Sequence, residues 1–224
     1  MRLGLVLACL MTTSVVAGDP VKLFNGKDLS GWKAVLDDAQ ADPAKTWSVK
    51  DGLLHCTGTP RGYVRTDRDD FKNYKLQVEW RWPEGTPENA NNGVLVHTTT
   101  PNALGVWAKS LEVQLGNGNA GDFWVIPGDD AADPTTIDVP LKGVPGEEHR
   151  IAGRRHFNFT DDSEKPHGQW NTLEIVCRGD AVTVKVNGDV VNYAFNSSVT
   201  TGAIALQSEG APIEYRSVVL TPLE

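Results

Sequence analysis

Apolar and polar residues alternate with a period of two along much of the chain, and Val, Ile, Leu and aromatic side chains fill the apolar positions. Successive side chains of a strand point to opposite faces, so this alternation predicts half-buried β-strands. The clearest run from Lys75 to Trp82, Gly93 to Thr98, Ser110 to Leu115, Asn171 to Arg178, Ala181 to Val186, Gly202 to Gln207 and Ile213 to Leu220. No long window keeps a helical stripe. Arg178-Gly179-Asp180 and Asn187-Gly188-Asp189 read as hairpin connections, the second carrying the Asn-Gly pair that tolerates positive φ. The predicted fold class is all-β: two antiparallel sheets packed face to face as a β-sandwich or jelly roll.

Two segments depart from this rhythm. Arg2 precedes an apolar stretch from Leu3 to Leu10 that continues to Val16, with Val15-Val16-Ala17 at the usual cleavage offsets. Residues 1–17 therefore read as a signal peptide, too short for the ~20 apolar residues of a membrane span. Residues 18–224 then read as one domain of a secreted or periplasmic protein. Within it, 126–169 is rich in Pro, Gly and Asp, then basic at His149-Arg150 and Arg154-Arg155-His156. An irregular connection that long is expected to cover a site, as a rim or lid.

Charge narrows the partners. The 224 residues carry 21 Lys and Arg against 29 Asp and Glu, a net charge of −8, with no run of five or more like charges. That balance argues against nucleic acid and anionic membranes, both of which recruit basic patches. Loss of the leader removes Cys9 and leaves Cys56 and Cys177, for which a disulfide and two separate buried thiols are equally open. Neither lies in a Cys-x-x-Cys spacing, which disfavours a thiol nucleophile or a zinc site.

The polar halves of the predicted strands carry the candidate chemistry. In Gln77-Val78-Glu79-Trp80-Arg81-Trp82 the apolar face is Val78, Trp80 and Trp82, which places Glu79 beside Arg81 on the other. In Leu111-Glu112-Val113-Gln114-Leu115 the same logic projects Glu112 and Gln114. Gln207 opposes Ile204 and Leu206 and follows the small Ala203 and Ala205, which leave room for a ligand. His97, on the Leu95 face, and Glu214 with Arg216 are candidates for the same surface. Trp107 and Trp124 suit its rim. The alternative is that these groups form only the wet side of a sheet.

A resemblance enters at these residues. Leu23-Phe24-Asn25-Gly26-Lys27-Asp28-Leu29-Ser30-Gly31-Trp32 is similar to the opening signature of the 3-keto-disaccharide hydrolase domain family. The similarity continues through Glu79-Trp80-Arg81, Asn91-Asn92-Gly93-Val94, Glu112-Val113-Gln114, Trp170-Asn171, Val186-Asn187-Gly188, Gly202-Ala203-Ile204-Ala205-Leu206-Gln207 and Glu214-Tyr215-Arg216. It implies a concanavalin-A-like lectin/glucanase sandwich and substrates that are sugars oxidised at C3. After Glu112-Val113-Gln114 the family has a short Gly-containing segment leading to a Tyr; here Gly121-Asp122-Phe123-Trp124 precedes the long insertion, which remodels the rim and with it the size of the substrate.

Ordinary glycoside hydrolysis needs two carboxyls flanking the scissile bond. The run from Glu112 to Gly116 supplies one, which makes a conventional glucanase the weaker enzymatic reading. A C3 carbonyl lowers the requirement, because it acidifies the C2 hydrogen and lets a base drive elimination of the C1 oxygen. Glu112 or His97, with Glu79 as a lesser candidate, is the expected base. Arg81, Gln114 and Gln207 are the expected donors to the C3 oxygen and hydroxyls. A divalent cation such as calcium is an open possibility, although no cluster with ligand spacing stands out. The rival from another class is a non-catalytic, lectin-like carbohydrate-binding module on the same face.

Overall fold

The computed structural model describes residues 17–140, 151–160 and 163–224. All of the expected leader except Ala17 lies outside the described residues, as do His149 and Arg150. In chain order the strands are β1 (Val21–Lys22), β2 (Trp32–Leu36), β3 (Trp47–Lys50), β4 (Leu53–Cys56), β5 (Gly62–Thr66), β6 (Tyr74–Arg81), β7 (Gly93–Thr98) and β8 (Ser110–Gln114). They continue as β9 (Phe123–Ile126), β10 (Ile151–Ala152), β11 (Arg155–His156), β12 (Asn171–Arg178), β13 (Ala181–Val186), β14 (Asp189–Ala194), β15 (Ala203–Ser208) and β16 (Ile213–Pro222). One turn of helix, α1 (Pro43–Thr46), starts at Asp42, whose Oδ1 accepts from the Ala44 amide at 3.0 Å. Among the described residues no helix is long and apolar enough to cross a membrane.

The strands form two antiparallel sheets. Sheet I runs β14-β13-β12-β6-β16-β4-β3, with β1 also on β16; sheet II runs β10-β11-β9-β8-β7-β15-β5-β2. Every strand predicted from the alternation is present within two residues of its expected bounds. β1 to β5 and β9 to β11 are too short for the pattern to rise above chance, and β14, as long as β13, breaks the alternation with two exposed residues followed by two buried ones where its pairing slips. The N-terminal Asn-Gly-Lys-Asp signature has a structural role. Asn25 Oδ1 accepts from the Lys27 and Asp28 amides at 2.7 and 3.0 Å, and Trp32 Nε1 donates to the Leu23 carbonyl at 2.7 Å.

The inner faces meet in one large core, with Leu76, Val78, Trp80, Leu173 and Ile175 from sheet I opposite Val94, Val96, Leu111, Val113 and Leu206 from sheet II. The outer faces differ. β6 alternates between buried and partly exposed residues, as expected of a sheet with one wet face. In β7, β8 and β15 every residue is buried. A second, small apolar cluster of Tyr63, Leu95, Ala108, Ile126 and Ala205, packed against Trp107, explains this: sheet II is covered on its outer side too.

Cys56 and Cys177 are separate buried thiols, which decides the question left open by sequence. Burial pushes them up to about 11 and about 12, so neither is a nucleophile at neutral pH.

The two faces of β6 yield a stability prediction. Trp80 is fully buried and meets Trp82 edge-on at 5.5 Å, whereas Gln77 on the opposite face is exposed. Trp80→Ala should cost about 3–5 kcal/mol in urea unfolding, and Gln77→Ala no more than about 0.5 kcal/mol. Equal costs would contradict the assignment of faces.

Candidate active site

The buried outer face of sheet II is built around a glycine. Glu112 on β8 lies opposite Leu95 of β7, and Gln114 lies opposite Gly93. Gln207 projects from β15 on the other side of β7. A Cβ at residue 93 would stand 2.4 Å from Gln207 Oε1 and 2.8 Å from Glu112 Oε1, so only glycine lets these two side chains meet across the strand between them. There the Gln207 amide donates to the Glu112 carboxyl. Gln207 Oε1, fully buried, has no hydrogen-bond partner among the described residues. Gln114 Oε1 accepts from the Leu115 and Gly116 amides at 2.9 and 2.8 Å, which fixes the amide and leaves its Nε2 for the hollow.

The hollow above these groups measures about 160 Å³ and adds Asn91, Trp107, Trp124, Arg154 and Glu209 to its lining. It adjoins a second hollow of about 320 Å³ that shares Asn91, Gln114 and Trp124 and reaches Asn117, Asn119 and Arg155. Trp107 stacks on Tyr63 at 6.4 Å. Arg154 lies over the Trp124 ring at 5.3 Å and donates to the Val125 carbonyl at 3.2 Å. A larger cavity of about 660 Å³ beyond Arg154 is lined mainly by loop residues such as Asp129, Thr135 and Gly153, and contains neither Glu112 nor Glu209.

Glu209 escaped the reading of the sequence. It lies one residue past the end of β15 and two past Gln207, the spacing that puts both on one face. That spacing was the available signal; ending the strand at Gln207 hid it. It supplies this face with a second acid, which the sequence reading sought in Glu79 and Glu214. Burial, with the Glu209 charge next in importance, holds the Glu112 carboxyl well above the usual carboxylate range, while Gln207 and Arg154 pull the other way. Burial likewise pushes Glu209 up to about 7, against the opposing charges of Arg61 and Arg154. Arg154 and Asn91 complete the lining that sequence did not assign to a site.

Other candidates lie elsewhere. Glu79 pairs with Arg216 at 2.7 Å, not with Arg81 as expected, and Arg81 pairs with Glu214 at 2.6 Å. His55 adds a second contact to Glu214 at 3.1 Å, and both guanidiniums lie over Trp170, at 4.5 and 4.7 Å. These groups occupy the outer face of sheet I, with both sheets between them and Glu112. Alternation fixes a side chain's face relative to its own strand; it does not say which sheet the strand joins.

His97 is displaced for another reason. Between Ala203 and Ala205 the pairing of β15 with β7 slips, so that Val96 and His97 share one partner position, and His97 has φ 54°. The bulge turns the ring into the core, 5.6 Å from Tyr74, with Nδ1 3.0 Å from the Val199 carbonyl. Burial lowers it to about 4, which leaves it neutral at physiological pH. Among the described residues, no group of three or more His, Cys, Asp and Glu side chains is placed to hold a metal ion.

Residues 19–221 match the model of the 3-keto-alpha-glucoside-1,2-lyase-like domain. The chain belongs to that family. No curated protein sequence matches it. Among solved structures, the lyase-like domain is similar to a candidate glycosyl hydrolase from Parabacteroides distasonis, with TM-score 0.62 and 18% identity over 92% of this chain and 94% of that one. It is also similar to the carbohydrate-binding module CBM66 from Bacillus subtilis, with TM-score 0.56 and 11% identity over 84% and 93% of the two chains. The kappa-carrageenase from Pseudoalteromonas carrageenovora, with TM-score 0.54 and 11% identity over 97% and 99%, shares the fold as well. At these identities the likeness establishes the jelly-roll sandwich alone.

The raised Glu209 carboxyl gives the lyase-like domain a pH signature. A carboxyl raised on folding contributes stability that is complete below its unfolded value near 4.5 and is lost as pH rises through about 7. His97, lowered to about 4, works in the opposite sense, so the difference between variant and wild type is the useful quantity. Glu209→Gln should match wild-type stability near pH 4 and become the more stable of the two as pH passes 7, by a few kcal/mol at most, in denaturant titrations at both pH values. A constant difference across that range would show that Glu209 titrates normally.

Proposed function

We propose that this protein is a carbohydrate-active enzyme that cleaves the glycosidic bond of sugars oxidised to a ketone at C3, by elimination across C1 and C2 followed by hydration. The observation that carries the reading is the Glu112 carboxyl, buried beside the Gln207 amide over Gly93 and facing a hollow rimmed by Trp107 and Trp124. A ketone at C3 makes the C2 hydrogen acidic enough for a side-chain base. The enolate that develops on the C3 oxygen needs a preorganised donor, which the Gln114 amide offers from the wall of the hollow, while Gln207 holds Glu112 from behind. Burial and the neighbouring Glu209 charge raise the Glu112 carboxyl well above the usual carboxylate range, which suits it to donate a proton rather than to act as the base expected from sequence. Family membership supports the class of substrate. The apolar leader at residues 1–17 supports secretion or export to the periplasm.

A second reading has its own support. The fold is shared with a carbohydrate-binding module, and a lectin-like domain would use the same amides and tryptophans without turnover.

Purified protein incubated with a 3-keto-disaccharide and, separately, with its unoxidised parent separates the possibilities by monosaccharide release. Release from the ketone alone is expected. Binding of either sugar without release would establish the module, and release from the parent would establish two-carboxyl hydrolysis instead. Glu112→Gln should lower release from the ketone by about 100-fold or more, with the unfolding midpoint retained.

A further inference from the structure

The elimination reading leaves one role empty. If Glu112 arrives protonated, something else must accept the C2 proton, and the base must face the same sugar ring. Glu209 does so. β8 and β15 are separated by β7 alone, which puts their backbones about 9 to 10 Å apart. At Gly93 that intervening strand carries no side chain, which is what lets the Glu112 carboxyl lie over β7, on the side toward β15. Glu112 reaches in from one side and Glu209 from the other, both lining the hollow of about 160 Å³. The surroundings are unequal. Glu209 has two cations nearby, Arg61 and Arg154, whereas Glu112 has Arg154 and the neutral Gln207 amide. Arg154 is held in place by its bond to Val125 and by Gly128, where a Cβ would stand 2.4 Å from Arg154 Cγ.

We propose that Glu209 is the catalytic base and Glu112 its paired acid, the two sharing one proton across the sugar ring. This assignment rests on the elimination reading. The Glu209 carboxylate takes the proton from C2. The electrons of that C–H bond form the C1–C2 double bond through the enolate at C3, the C1–O bond breaks, and the departing oxygen takes its proton from Glu112. The pair is then reversed, with Glu209 protonated and Glu112 ionised. Water adds at C1 and gives its proton to Glu112, while Glu209 returns a proton to C2. The product is the free 3-keto sugar, both carboxyls are reset, and water is the only co-reactant. A pair that shares one proton titrates as a unit, so neither group's protonation is independent of the other.

The experiment uses a 3-keto-disaccharide in D2O, with deuterium uptake at C2 of recovered substrate and release of the leaving sugar both followed by mass spectrometry. Glu209→Gln should lose uptake and release together, by about 100-fold or more. Glu112→Gln should lose release but continue to take up deuterium. Its release should return when the leaving group is 4-nitrophenol, which needs little protonation, whereas Glu209→Gln should gain nothing from that change. If Glu209→Gln fails to fold, Glu209→Ala assayed with added formate gives the same answer, since an external carboxylate should restore C2 uptake. Deuterium uptake by Glu209→Gln within tenfold of wild type, or the same leaving-group rescue in both variants, would overturn the assignment. A wild-type protein that neither exchanges nor cleaves the ketone would instead defeat the elimination reading, and this assignment with it.

Discussion

The site depends on keeping a carboxyl group dry in the middle of an antiparallel sheet. Glu112 is only 6% exposed and sits on β8, a strand with neighbours on both sides and apolar packing beneath it. Such a group stays unpaired only if it holds its proton or is hydrogen-bonded. Burial favours the first condition, and the missing side chain at Gly93 supplies the second by letting the Gln207 amide reach across a strand to the carboxyl. Ala205 and Leu95 form the adjacent apolar surface, and Trp107 closes over it. Water is thereby kept from the carboxyl.

The outer face of sheet I shows the opposite solution to the same problem. Arg81 with Glu214, and Arg216 with Glu79, satisfy one another at 2.6 and 2.7 Å, and both cations rest on Trp170. Every strong charge there has a partner, and half-exposed pairs of this kind contribute little net stability each. The arrangement organises a surface. In the hollow of sheet II, by contrast, two acids face each other with a cation at their edge and an amide oxygen left without a partner. Polar residues thus form a mutually paired surface on one sheet and a dry hollow with two raised acids on the other.

The inserted segment joins the two. Its hairpin, β10 with β11, extends sheet II beyond β9 and delivers Arg154 to the rim of the hollow. Arg155, the next residue, is tied down on the other side by Asp122 and Asn119, both at 2.6 Å. Further along, Glu164 accepts from the Ala120 amide at 3.3 Å, and burial pushes it up to about 7. Where it is described, the insertion is anchored by specific polar contacts to the loop between β8 and β9, which fits a rim of set shape better than loose cover.

Periodicity by itself determined the fold class, seven of the strands and the outward aim of Glu112, Gln114 and Gln207, because the alternation of side chains is a local property that each strand carries with it. It also aimed Glu79, Arg81, Glu214 and Arg216 outward, correctly, but on the wrong side of the molecule for a common site. Only tertiary structure decided that, since sheet membership depends on pairing between segments far apart in the chain. Local alternation also failed at His97, where a bulge created by the partner strand reversed the side chain, and it passed over Glu209, just beyond a strand end. Which carboxyls come to share a dry hollow is a matter of strand order and of one glycine between them, and the period of two carries no record of either.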